Sequence, residues 1–115
     1  VRRVLLHAGK IHYDLKSEIE KRGTTGVALV RLEQYYPLPE AQLRAALDRY
    51  PNAEVVWVQD EPENQGAWPF LALETQKRGM KPMRVVSRPA SASPATGSSK
   101  RSAQEHADIM DAALS

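Results

Sequence analysis

The chain has no cysteine, which removes disulfide frameworks, zinc knuckles and thiol nucleophiles from its repertoire. It has no apolar run near the roughly 18–20 residues that a membrane-spanning helix needs, and it opens without a signal peptide. These absences fit a cytoplasmic protein that does not associate with membranes. A continuous basic stripe with interleaved aromatics is also missing. The 16 basic and 14 acidic side chains are interspersed, for a net charge of +2, and pairs such as Arg2-Arg3, Lys77-Arg78 and Lys100-Arg101 are scattered. That patterning argues against nucleic-acid binding. The dinucleotide fingerprint G-x-G-x-x-G is absent. Gly9-Lys10 stands where a phosphate loop would end, but such a loop needs glycine at position 4 and a hydroxyl at position 11, where Val4 and Ile11 stand. A glycine turn into a helix is the better reading.

What remains is an alternation of short apolar runs with helical periodicity. Val4-Leu5-Leu6, Val27 to Leu32, Val55-Val56-Trp57-Val58 and Arg84-Val85-Val86-Ser87 read as strands. Between them Ile11, Leu15 and Ile19 recur at helical spacing up to Gly23, then Leu43, Ala46, Leu47 and Tyr50 up to Pro51, then Trp68, Leu71, Ala72 and Thr75. Nearly all-apolar strands are buried on both faces, so the pattern predicts an α/β fold with a mostly parallel sheet between helical layers. A Pro/Ser/Ala-rich loop over 88–99 precedes a last helix over 100–115. That helix shows Ala103, Ala107, Met110 and Leu114 on one face and Ser102 and Glu105 in capping-box register. Because the helix returns, the loop is expected to be held. At 115 residues the chain makes one domain, and its start at Val1 reads as that of a fragment of something longer.

Ligands of open α/β sheets meet the carboxyl ends of the strands. Here these are His7 to Lys10, Glu33 to Pro37, Gln59 to Gln65 and Ser87 to Ser99. His7 and His12 are placed on different elements with Asp14 nearby, a poor spacing for a metal; His7 is expected to bond a backbone group. Asp60, Glu61 and Glu63 are expected to cap the helix that follows them rather than to act as acid and base. Pro69 suits that helix's first turn. Trp68 and Phe70 serve as core or as an aromatic anchor at a subunit interface, and both readings stay open. Hydroxyls, a glycine and cations over Pro94 to Arg101 suit either an anion at a helix N-terminus or an ordinary serine cap. No catalytic residue, cofactor cradle or metal ligand set emerges.

Four blocks go further: Ala8 to Leu15 (AGKIHYDL), Val30 to Pro39 (VRLEQYYPLP), Gln59 to Trp68 (QDEPENQGAW) and Ser87 to Gly97 (SRPASASPATG). In this order, covering the chain nearly end to end, they closely resemble the C-terminal domain of the 2-oxoglutarate dehydrogenase decarboxylating component. The Ala- and Arg-rich filler between them is similar to that of actinobacterial members. The resemblance implies a transketolase-like C-terminal domain with a three-layer α/β/α plan, whose customary antiparallel edge strand lies upstream. It implies a homodimeric enzyme that uses thiamine diphosphate and Mg²⁺, bound outside this fragment. That enzyme decarboxylates 2-oxoglutarate and passes succinyl to lipoyllysine on a partner acyltransferase. The domain itself is expected to brace the dimer, with Asn64, Gln65, Trp68 and Phe70 at the interface. A nucleotide or acyl-CoA effector is expected near this end of the chain, and cation placement selects Arg88, Lys100 and Arg101 for it. Two alternatives remain: a stand-alone regulatory module for a phosphorylated ligand, and a dimerisation domain with no ligand.

Overall fold

A computed structural model describes residues 1–91 and 99–115. In chain order it runs β1 (Arg3–His7), α1 (Ile11–Arg22), β2 (Val27–Arg31), α2 (Glu40–Asp48), β3 (Glu54–Pro62), α3 (Trp68–Lys77), β4 (Arg84–Arg88) and α4 (Ser99–Leu114). The strands form one sheet in the order β2-β1-β3-β4, and every pairing among them is parallel. Leu5 sits between Leu29 and Val56, and Leu6 between Val30 and Trp57.

Side chains alternate across this sheet, so each strand feeds two cores. Val4, Leu6, Val55 and Trp57 join Leu43 and Leu47 of α2 and Leu71 of α3 on one face. Leu5, Val56, Val58 and Val86 join Ile11 and Leu15 of α1 and Ile109, Met110, Ala113 and Leu114 of α4 on the other. This is the expected parallel α/β sandwich, and it explains why the strands carry so few polar residues. Right-handed crossovers give the same layering. The chain steps from β1 out to β2 and then back past β1 to β3, so α1 and α2 fall on opposite faces. Adjacent β1 and β3 therefore send their loops apart, which opens a crevice at their carboxyl ends.

The turn before α1 uses Gly9 at φ 79°. The helix stops at Gly23 in the left-handed region, where the amides of Gly23 and Thr24 bond back to Glu20 and Ile19, as a glycine C-cap does. Three local expectations are corrected. α4 begins at Ser99, which places Ser102 inside the helix instead of at its cap. Its buried face is Ile109, Met110, Ala113 and Leu114, with Ala103 and Ala107 exposed. Burying an alanine yields far less than burying isoleucine or methionine, so the larger side chains set the helix rotation. Tyr50 lies just past the end of α2, although it still packs against the first core. The expectation of a held loop over 88–99 falls, at 92–98, outside the described residues.

Candidate functional site

The carboxyl end of β3 is organised by Gln59, which is 3% exposed. Its Oε1 accepts from the Trp57 indole N–H at 2.9 Å and from the Trp68 backbone N–H at 3.0 Å. Its Nε2 donates to the carbonyls of Pro62 (2.8 Å) and Gln65 (2.9 Å). One side chain thus holds the turn closed and satisfies an amide at the start of α3. The expectation that Asp60, Glu61 and Glu63 cap this helix is overturned. β3 runs through Pro62, the residue before the helix is Ala67, and α3 has no acid in its first turn. Gly66 fits the turn for two reasons. Its φ is +66°, and a Cβ there would lie 3.1 Å from Glu61 side-chain atoms and 3.2 Å from Gln59 Oε1.

Asn64 binds the Ser91 backbone twice: its Nδ2 donates to the carbonyl (2.8 Å) and its Oδ1 accepts from the amide (3.0 Å). Gln65 Nε2 donates to the same carbonyl at 3.0 Å. Both residues expected at an interface therefore tie the β3 turn to the segment after β4. Trp68 and Phe70 are half-buried against the first core. The Phe70 ring meets Tyr35 at 6.2 Å and Tyr36 at 5.5 Å, the latter edge-on, and Tyr36 is 74% exposed. The outer side of α3 borders a groove of about 400 Å³ lined by Trp68, Ala72, Thr75, Gln76, Met80 and Met83, among others.

Arg88 is engaged on all sides. Its Nε donates to the Asp60 carbonyl (2.7 Å) and one Nη to the Asp60 carboxylate (2.9 Å). The other Nη donates to the Ser102 carbonyl (3.0 Å) and to Glu105 Oε1 (3.2 Å). The guanidinium clamps β3, β4 and α4 together. His106 extends the clamp, standing 3.5 Å from Asp60 and 3.6 Å from Asp14 of α1. Arg88 is thereby brought beneath the start of α4, where Lys100 and Arg101 lie exposed in the first turn.

At the end of β1, His7 is fully buried. Its Nδ1 donates to the Leu5 carbonyl at 2.9 Å, the backbone partner expected of a strand-end histidine. That assignment leaves Nε2 as an acceptor, which meets Nδ1 of His12 at 2.8 Å with the two rings stacked 5.1 Å apart. Burial pushes the His7 pKa down to about 4, and the charges of His12 and Arg31 add to the effect against the opposing Leu5 carbonyl bond. Desolvation, Arg31 and Lys16 hold His12 below its usual value. Sequence reasoning missed this pair. The signal was the Gly9 turn, which folds the start of α1 back over the strand end.

Among the described residues, these groups hold loops and a helix terminus together. No three His, Asp or Glu side chains converge as a metal set among the described residues. The Gly9 turn runs into Ile11 with no hydroxyl to meet a metal. The described residues do not fit a diphosphate–metal cofactor.

The family model for the 2-oxoglutarate dehydrogenase C-terminal region matches residues 1–114. A multifunctional 2-oxoglutarate metabolism enzyme from Mycolicibacterium vanbaalenii is 47% identical over 98% of this chain and 9% of its own length. A 2-oxoglutarate dehydrogenase E1 component from Cupriavidus necator is 42% identical over 99% of this chain and 12% of its own. The protein of that name from Brucella anthropi is 46% identical over 97% and 12%. The chain therefore spans about a tenth of the length of these relatives.

Proposed function

The chain belongs to the 2-oxoglutarate dehydrogenase C-terminal family, and on that premise we propose that it is the bracing, non-catalytic end of a 2-oxoglutarate-decarboxylating enzyme. The observation that carries this reading is the use made of the strand-end side chains. Gln59, Asn64, Gln65 and Arg88 bond to the chain's own backbone and helices, where a catalytic site would direct them at a substrate. Thiamine diphosphate and Mg²⁺ belong, on this reading, to the rest of the polypeptide. The cofactor supplies the decarboxylation chemistry, and lipoyllysine on an acyltransferase partner receives the succinyl group. On this reading the enzyme works in the cytoplasm. No described helix is long and apolar enough to cross a membrane. The domain's part is to brace a homodimer through the rigid start of α3, with Asn64 and Gln65 holding the turn and Trp68 and Phe70 meeting the partner. Isothermal titration of thiamine diphosphate into this chain alone is expected to give no binding heat; tight binding would overturn the assignment.

A second role rests on the cations gathered at α4. Lys100 and Arg101, above the Arg88 clamp, suit the phosphates of a nucleotide or acyl-CoA effector. Replacing both with alanine in the full-length enzyme is expected to blunt the effector response. An unchanged response removes this role.

A further inference from the structure

The bond between His7 and His12 has a chemical consequence at the surface. The Leu5 carbonyl can only accept, so the His7 proton sits on Nδ1. Neutral His7 then offers a lone pair at Nε2. His12 Nδ1, 2.8 Å away, donates to it, with the ring planes 15° apart. The proton of a neutral His12 is thereby held at Nδ1, and its Nε2 is left as a bare lone pair. Burial keeps His7 neutral, and desolvation with the charges of Arg31 and Lys16 favours neutral His12. The two ring nitrogens point in divergent directions, so Nε2 of this half-buried side chain faces away from His7. It has no hydrogen-bond partner among the described residues.

The surroundings select an anionic reactant. Lys16 follows His12 by four residues on α1 and so shares its face. Arg31 is the register partner of His7 on β2, and its guanidinium is held over the Tyr13 ring, 5.2 Å from the centroid. Both cations are exposed, and neither pairs with a carboxylate among the described residues. Arg22, Arg44, Arg78 and Arg84, by contrast, each have such a partner. The other half-buried histidine, His106, stands between the carboxylates of Asp60 and Asp14, 3.5 and 3.6 Å away, which repel an anion. A nucleophilic nitrogen with its proton fixed on the far side, beside two unpaired cations, suits an activated phosphoryl group.

We propose that His12 Nε2 is a phosphoryl-acceptor site, modified by a small anionic donor of the acyl phosphate or phosphoramidate class. The Nε2 lone pair forms the N–P bond as the bond from phosphorus to the leaving group breaks, and that group departs with the electron pair. The Nδ1 proton stays in the bond to His7. Arg31 and Lys16 then face the phosphoryl oxygens in the first turn of α1, where added negative charge is favourable. The test incubates the full-length polypeptide with phosphoramidate, whose leaving group is ammonia, and maps acid-labile phosphate on its peptides by mass spectrometry. Label is expected on His12 roughly tenfold faster than on His106, and Lys16→Gln with Arg31→Gln is expected to slow it roughly tenfold. His12→Gln is expected to abolish label at this position. Phosphorus NMR of the labelled peptide is expected to place the group on Nε2. Equal rates at His12 and His106, a rate indifferent to the two cations, attachment at Nδ1, or no label at His12 overturns the site.

Discussion

His7 shows how one residue can tie the sheet to a helix at a cost that depends on pH. Its ring is buried and neutral, bonded to Leu5 on one side and His12 on the other. Its folded pKa, about 4, lies below the roughly 6.5 of an unfolded histidine. Between those values the unfolded state binds the extra proton, so stability rises with pH. The contribution is complete above about pH 6.5 and is lost as pH falls toward about 4, on the order of 3 kcal/mol in all. Glu18, Glu40, Glu54 and Glu74 are also depressed, each chiefly by an arginine hydrogen bond. Carboxylates give way only below their unfolded values near about 4.3. Urea unfolding between pH 5 and 6.5 therefore isolates the histidines. The wild type is expected to lose stability across that window and His7→Gln to lose much less. Equal slopes would show that the buried ring does not titrate as described.

At the scale of elements, α1 and the four strands were legible because their apolar periodicity and glycine stops are local. α3 was legible as a helix, but its cap was not. The three carboxylates before it suggested a charge cap, whereas the amide is satisfied by Gln59 reaching across from inside β3. Nothing in the spacing marks a glutamine in an apolar strand as the acceptor for a residue nine positions on. Gln59→Leu keeps the volume and removes every bond, leaving the Trp57 indole and the Trp68 amide without an acceptor. Each unsatisfied buried group costs about 1–3 kcal/mol, so the variant is expected to lose roughly 3 kcal/mol or more in chemical denaturation. A loss under about 1 kcal/mol would mean that water replaces the side chain readily. The rotation of α4 was misread for a related reason. Alanines at 103 and 107 fit either face, and only packing showed that the ridge from Ile109 to Leu114 is buried. The Arg88 clamp fixes that rotation from the strand side.

For the whole molecule, the sequence resemblance carried more than the residue chemistry did. Composition and periodicity reach as far as a parallel α/β sandwich, and that sandwich is present. The site was legible only as a set of loops, because the partners of Asn64, Gln65 and Arg88 are backbone groups of distant segments that no spacing rule links. With those partners known, the described ends of β1, β3 and β4 are held by Gln59 at β3, by Asn64 to Ser91, by Arg88 to α4 and by His7 to His12 of α1. On the reading proposed above, the half-buried Trp68 and Phe70 beside these held strand ends suit a brace between subunits. The most direct measurement compares Trp68→Ala in two settings: dimer dissociation of the full-length enzyme by sedimentation, and urea unfolding of the isolated chain. Truncating a buried tryptophan costs about 3–5 kcal/mol. A bracing Trp68 predicts a dissociation constant raised by more than the fold's own loss accounts for. Equal losses in both would return Trp68 to the core and contradict the brace.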